Sequence, residues 1–364
     1  MIDTTGKVKP CCRFVWDNDI PANTLKDKSI QEIFYSEFMQ NLRKDSLQGK
    51  PIPGCERCYQ EQAAGKKSLR ERVNDNVATK DYVLDDPKIT YLELAISNDC
   101  NLMCRMCLGR YSWKLYDEEV EYYGKIPPYE KKTRSNIDCA YELLPNLQYI
   151  KFTGGEPLMI KEHWEFLQEA VDKGYAKDIT LNYSTNCTVF PKDKHIELWK
   201  QFKKIEMAVS LDSIVESENI YQRHLTDHEI ALKTIKKYSE LSKDTLRMHV
   251  LGRPTVTIMN VYTLPETIEW LEELGISTNP SHLTHPEWQS VTVLPMNTKL
   301  QIKEKYENFD FKSSKAKNHC MYIINYMMSK DDSYLLDEFR QHTDFLDKKR
   351  NQSFKEQYPY FDFL

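Results

Sequence analysis

The chain has 364 residues, 40% of them apolar and 29% charged, and a formal net charge of −5. Such a length buries one large core with room for a small appendage, in a composition ordinary for a soluble globular protein. The mild acidity gives no electrostatic footprint for nucleic acid, no apolar run approaches the roughly 18 residues of a membrane span, and the N-terminus lacks the apolar region of a secretory signal, so a cytoplasmic protein is expected.

Residues 1–85 are polar and turn-rich, and hold too little apolar material for a comfortable core of their own. Ile30, Ile33, Phe34, Phe38 and Leu42 recur at helical spacing, which predicts one helix over 28–46. PIPGC (51–55) stops it, and a second charged helical pattern runs through CERCYQEQAAGKKSLRERV. A metal staple would supply the missing stability. From residue 88 strand and helix signals alternate. Strands are predicted at 89–96, 147–152, 178–185, 205–211, 254–259 and 290–295. Helices are predicted at 161–173, with Trp164, Leu167 and Val171 on one face, and at 193–203, 228–242 and 265–274, the last with Pro265 in its first turn. This alternation predicts an α/β fold built on a parallel sheet of six strands, with ligands at the strand C-termini. The stretch 108–146 is rich in Tyr and Trp and reads as a locally packed subdomain. Residues 301–364 read as a charged helical extension ending in the aromatic tail YPYFDFL. The lysine-rich patches at 131–134 and 233–238 read as solvated faces.

The ten cysteines are the most informative feature. In a reducing compartment they read as metal ligands or buried thiols rather than disulfides. Cys100, Cys104 and Cys107 stand in a C-x3-C-x2-C spacing directly after a predicted strand. Three thiolates on one short loop suit an iron–sulfur cluster, because soft sulfur ligands select such centres or zinc. They leave one iron of a four-iron cube open. Structural zinc would want a fourth ligand, and none lies nearby in sequence.

This spacing, at the head of a six-strand series, resembles the radical S-adenosylmethionine (SAM) superfamily, over roughly residues 88–295. The resemblance implies a partial (β/α)6 TIM-like barrel and a [4Fe–4S] cluster on Cys100, Cys104 and Cys107. GGEP (Gly154, Gly155, Glu156, Pro157) resembles the segment that receives the SAM amino group. STN, with Ser184 and Asn186, resembles the segment that contacts its ribose and carboxylate. SLDS places Ser210 and Asp212 at the next strand end, and Arg223 is similar to an arginine that pairs with the SAM carboxylate. VTIMN (256–260) fits the series as well. Met106 stands where the family commonly has an aromatic residue, and its thioether suits packing on adenine. Cys187 stands where the family often has glycine; it reads as a buried thiol and, beside the site, as a candidate hydrogen-atom donor.

The early cysteines extend the resemblance. Gly6 to Cys11 has a G-x4-C spacing and Cys55 and Cys58 form C-x2-C, similar to the auxiliary-cluster modules of the SPASM and twitch subgroups. Those modules usually follow the barrel and include a cysteine upstream of the glycine. Here the module, residues 1–87, would precede a barrel over 88–300. Three readings of Cys11, Cys12, Cys55 and Cys58 stay open, in order of preference: an auxiliary [4Fe–4S] cluster, a four-cysteine zinc site and a disulfide. Neighbouring side chains of an extended chain point to opposite faces, so Cys11 and Cys12 can both be ligands only if the chain turns there.

The resemblance implies reductive cleavage of SAM to a 5′-deoxyadenosyl radical, followed by hydrogen abstraction from a peptide or protein side chain. The alternatives are a dehydrogenase of a small polar metabolite, such as an amino sugar, and a non-catalytic iron–sulfur scaffold or sensor. The implied partners are SAM, a peptide or small-molecule substrate, and an electron donor such as flavodoxin or ferredoxin. His249, His282 and His285 lie near predicted strand ends and read as packed or surface histidines.

Overall fold

The computed structural model describes residues 1–15, 23–63, 67–76, 86–135, 137–243, 247–361 and 363. Residues 64–66 of the second predicted helix, and Asp362 and Leu364 of the aromatic tail, lie outside them. The chain is a mixed α/β fold around a parallel sheet whose six strands pair in chain order: Tyr91–Ala95, Tyr149–Thr153, Thr180–Thr185, Lys204–Val209, Met248–Gly252 and Ser277–Thr278. The first pair registers Tyr91 with Tyr149 and Ala95 with Thr153. The strands are largely buried, as expected where helices cover a parallel sheet.

Six strands form, but two of them are not the ones expected. PTVTIM contributes only Thr255–Val256, paired with Ser281–His282 outside the main sheet. SVTVLP forms a buried 3-10 turn over Val291–Val293. Short apolar runs bury equally well with or without a ladder, so composition could not separate them. The fifth strand, MHVLG, carries a faint period-2 signal: Met248 and Val250 are buried and His249 is exposed. His282 stacks on Tyr326, with ring centroids 3.7 Å apart.

The predicted helix at 28–46 is two helices, Ile30–Phe34 and Glu37–Leu47. Ser29 and Glu32 form a capping box on the first, and Ser36 accepts the Met39 N–H to begin the second. An interior serine that can cap breaks the run. Helix Lys161–Asp172 buries His163, Phe166, Leu167 and Ala170, an i, i+3, i+4, i+7 stripe shifted from the one expected. Trp164 lies at its margin, stacked on His195 at 3.9 Å and donating to the Leu158 carbonyl at 3.2 Å.

The described residues divide into two compact units. The first comprises 1–99, 129–183 and 192–205; its core stacks Phe152 on Tyr183, which accepts a hydrogen bond from Trp199 Nε1 at 3.1 Å. The second comprises 100–128, 184–191 and 206–364; its core gathers Tyr221, Trp288, Ile302, Tyr306, Ile323 and Phe339. Tail residues Phe354, Tyr358, Phe361 and Phe363 belong to that core. Tyr122, from the aromatic stretch, packs edge-on to His342 at 4.7 Å and against Phe345 at 5.2 Å. No helix among the described residues is long and apolar enough to cross a membrane.

Candidate iron–sulfur and SAM site

In the second unit the cysteine triplet is a loop held by its own amides and by two later segments. Met103–Cys104 pairs antiparallel with Arg223–His224, placing Cys104 opposite Arg223. The Cys107 N–H donates to the Cys104 carbonyl at 3.0 Å, so the loop turns between these two ligand candidates. N–H donors are directed at the sulfurs: Leu102 N lies 3.5 Å and Asn186 Nδ2 3.8 Å from Cys100 Sγ, and Arg223 Nη1 lies 3.9 Å from Cys104 Sγ. Burial pushes the Cys104 thiol up, against the pull of Arg223. The Cys107 thiol is raised by burial and then by its two companion sulfurs. Thiols raised in this way ionise together only if a bound cation compensates them. Among the described residues, no three Cys, His, Asp or Glu side chains are gathered closely enough for one metal ion. N–H donors thus meet two of the three sulfurs, Cys100 and Cys104, which suits the sulfur-directed hydrogen bonding of an iron–sulfur cluster.

Asn186 is buried, and its roles are visible in its bonds. Its Oδ1 accepts from Thr188 N at 3.0 Å and Thr188 Oγ1 at 2.6 Å, an Asx turn, while its Nδ2 donates to Asn101 Oδ1 at 2.9 Å. Asn101 donates in turn to Thr188 Oγ1 at 2.7 Å. Neither Asn101 nor Thr188 was singled out from sequence, though an S-T-N-x-T run is a turn signal that marks the second. Ser184 is half-buried, and the Ser210 N–H donates to the Thr185 carbonyl at 3.0 Å. Cys187 is fully buried at a φ of 64°, the left-handed region that favours glycine. Its Sγ lies 3.6 Å from the Thr185 carbonyl. Asp212 accepts the Thr255 N–H at 2.8 Å and faces Arg223 Nε at 2.7 Å. Asn260, the last residue of VTIMN, donates to the Asp212 carbonyl at 3.0 Å. Met106 is half-buried on the cysteine loop.

In the first unit, GGEP forms a tight turn against residues 97–99. Gly155 N donates to the Ser97 carbonyl at 2.9 Å and Glu156 N to the Asp99 carbonyl at 2.8 Å. Gly154 has a φ of 108°, and a Cβ there would stand 2.7 Å from the Ser97 oxygen. A Cβ on Gly155 would overlap the Asp99 carbonyl outright. Backbone this close admits only glycine. Glu156 is buried and accepts the Leu158 N–H at 3.3 Å, capping the short turn Pro157–Met159.

The early cysteines also lie in the first unit. The chain does turn at Cys11: the Phe14 N–H donates back to the Cys11 carbonyl at 3.2 Å. Cys58 N donates to the Cys55 carbonyl at 3.0 Å as helix Glu56–Ala63 begins. Cys11 and Cys55 line an apolar cavity of about 340 Å³ with Phe14, Ile30 and Phe34. Burial raises the Cys11 thiol, with the Cys58 charge adding to it, and burial with Cys11 and Cys58 pushes Cys55 up to about 11. Cys12 has different company. Burial and then the Glu93 carboxylate push it up to about 12, while Glu93 is ion-paired with Lys151 at 2.6 Å.

A family model described as "Radical SAM superfamily" matches residues 94–274. Residues 94–274 form a radical SAM domain. A second model, SPASM, described as an iron–sulfur cluster-binding domain, matches residues 1–59, ahead of the radical SAM domain rather than after it. A Pyrococcus furiosus protein described as a tungsten-containing aldehyde ferredoxin oxidoreductase cofactor-modifying protein is 27% identical over 197 residues, covering 51% of this chain and 49% of its own. A probable GTP 3′,8-cyclase of Methanocaldococcus jannaschii is 26% identical over 190 residues, covering 52% of this chain and 57% of its own. The chain thus spans about half the length of the curated relatives it matches. Among solved structures, Streptococcus suis SuiB bound to S-adenosylmethionine aligns with a TM-score of 0.42 at 13% identity, over 82% of this chain and 60% of SuiB.

Proposed function

We propose that this chain is a radical SAM enzyme that modifies a peptide or protein side chain, with an auxiliary-cluster module over 1–87, a radical SAM barrel over 88–300 and a helical extension over 301–364. The observation that carries the reading is the three-cysteine loop met by N–H donors from Leu102, Asn186 and Arg223, in a domain of that family. Cys100, Cys104 and Cys107 hold a [4Fe–4S] cluster. Gly154, Gly155, Glu156 and Pro157 receive the SAM amino group. Ser184, Asn186, Ser210, Asp212 and Arg223 serve its ribose and carboxylate, and Met106 its adenine. When bound, cluster and SAM supply a carbon radical able to take a hydrogen atom from an unactivated position. The protein's own work is to position and to exclude water. The glycine turn lets backbone approach closely, and hydrogen bonds to Cys100 and Cys104 tune the electronics of the bound group. An auxiliary iron–sulfur cluster on the early cysteines agrees with the SPASM match over 1–59.

The curated relatives favour a second substrate reading. By their names they act on an enzyme cofactor and on GTP, which supports a small polar molecule in place of a peptide. In either case a flavodoxin or ferredoxin supplies the electron, in the cytoplasm. The test is anaerobic reconstitution and reduction: the wild type forms 5′-deoxyadenosine from SAM and Cys104→Ala does not. A reconstituted wild type that leaves SAM intact would instead make the chain a scaffold or sensor.

A further inference from the structure

Residues beyond the matched radical SAM domain grip its cysteine loop. Arg105, between Cys104 and Met106, is buried, with its guanidinium 3.6 Å over the Tyr221 ring. It donates from Nε to the Tyr221 carbonyl at 3.1 Å and from Nη2 to Gln352 Oε1 at 3.0 Å, and it is ion-paired with Asp347. Asp347 lies near the end of helix Leu336–Arg350 and is itself fixed, accepting from Tyr221 Oη at 2.8 Å and from Phe354 N at 2.6 Å. Three residues on, Arg350 donates from Nη1 to the Met103 carbonyl at 2.9 Å and holds Glu118 with two hydrogen bonds of 3.1 and 2.6 Å. Gln289 Nε2 donates to the Arg105 carbonyl at 2.8 Å. The carbonyls on both sides of Cys104 are therefore met by side chains from outside residues 94–274.

We propose that Asp347 is a positioning residue for the cysteine loop, acting through Arg105 to fix the segment 103–107 that carries Cys104 and Cys107. The inference rests on the proposed role of these cysteines as cluster ligands. The loop's own regular structure is one two-residue strand pair, too little to hold thiolates in a fixed geometry. A planar guanidinium anchored by stacking, a carboxylate, a carbonyl and an amide is rigid, and partners behind the ligands orient metal-site geometry. Arg105 also places a positive charge beside the ligands, which Asp347 offsets.

Amide hydrogen exchange on the metal-free full-length chain, with the reduction potential of the reconstituted cluster, tests this. Asp347→Asn is expected to speed exchange at amides 103–107 by about tenfold or more while strand Met248–Gly252 exchanges as before, the signature of local opening. The potential should move to more positive values, because the Arg105 charge loses its counter-ion, and Asp347→Glu should recover part of both changes. Wild-type exchange and potential in Asp347→Asn would overturn the proposal. If that variant does not fold, Gln352→Ala decides: its half-buried side chain removes one Arg105 acceptor, and loop exchange should rise by about threefold. No rise there overturns the proposal equally. A wild type that takes up no cluster defeats the functional reading instead, while exchange in the metal-free chain still judges Asp347.

Discussion

Arg223 stands between Asp212 and Cys104, its Nε 2.7 Å from the carboxylate and its Nη1 3.9 Å from the sulfur. One guanidinium thus serves a buried acid and a candidate cluster ligand. Burial opposes the Arg223 charge, but Asp212 and then Cys104 outweigh it and hold the group firmly protonated. Asp212 is fully buried, so removing its charge strands a buried cation. Asp212→Asn should lose about 3–5 kcal/mol of unfolding free energy in urea denaturation. Adding Arg223→Met should return much of that loss, because no unpaired charge then remains. A loss below about 1 kcal/mol in the single variant would show that the pair is not the anchor its burial implies.

The GGEP turn makes a sharper steric prediction. Gly155→Ala collides with the Asp99 carbonyl, so the turn must shift. SAM binding in equilibrium dialysis should fall by about tenfold or more, since backbone displaced by even 1 Å ruins positioning. Gly174→Ala is the control: its φ is 77° but nothing lies within 4 Å of the added carbon. It should cost only about 1 kcal/mol of backbone strain and leave SAM affinity unchanged. Equal effects of the two variants on affinity would remove the turn from the binding site.

Local chemistry made most of this legible in the sequence. The triplet spacing, the two glycines and the sheet class are set by ligand geometry, close backbone approach and strand–helix alternation, all short-range signals. What escaped depends on distant partners. The ion pair between Arg105 and Asp347 joins residues 242 apart, and no periodicity predicts it. Asn186 was named, but its Asx turn with Thr188 and its bond to Asn101 became visible only once the two segments met. The fifth strand was missed because richer apolar runs nearby outweighed a correct but faint alternation in MHVLG.

Acid should weaken the first unit through His163. Its Nε2 lies 2.8 Å from the Tyr183 hydroxyl in a fully buried setting, and burial lowers its pKa from 6.5 to about 3. The folded state then binds fewer protons than the unfolded one between these values. Stability is complete above about pH 6.5 and is lost as the pH falls toward 3. The loss reaches about 3 kcal/mol by pH 4. Guanidinium midpoints at pH 7 and pH 4 measure it, and His163→Phe should flatten the difference by that amount. An unchanged acid limb in the variant would assign the pH response to other groups.

Cys187 pays a conformational penalty at its φ of 64° that glycine avoids. Cys187→Gly should therefore keep stability within about 1 kcal/mol of wild type despite losing a buried thiol. Its sulfur is fully buried, next to the Thr185 carbonyl, which suits packing. Cys187→Ala separates packing from chemistry. With a packing thiol, SAM cleavage and substrate product both persist; with a hydrogen-atom donor, cleavage persists and the product is lost.

The turn at Cys11 admits both adjacent cysteines as ligands, but the two have different neighbours. Cys11 keeps company with Cys55 and Cys58: beyond burial, the Cys58 charge opposes ionisation of Cys11, and the Cys11 and Cys58 charges oppose that of Cys55. Cys12 is directed to the Glu93–Lys151 ion pair, where a thiol acts as a hydrogen-bond donor to a buried carboxylate. A thiolate there would meet the Glu93 charge at close range, so Cys12 should stay protonated while the other three bind iron. Reconstituted wild type should then hold about eight irons per chain. Cys11→Ala, Cys55→Ala and Cys58→Ala should each fall toward about four, and Cys12→Ser should keep the full complement. A Cys12→Ser protein that loses the same four irons would make both adjacent cysteines ligands and close the cluster to substrate. About four irons with one zinc in the wild type would replace the auxiliary cluster by a structural zinc site.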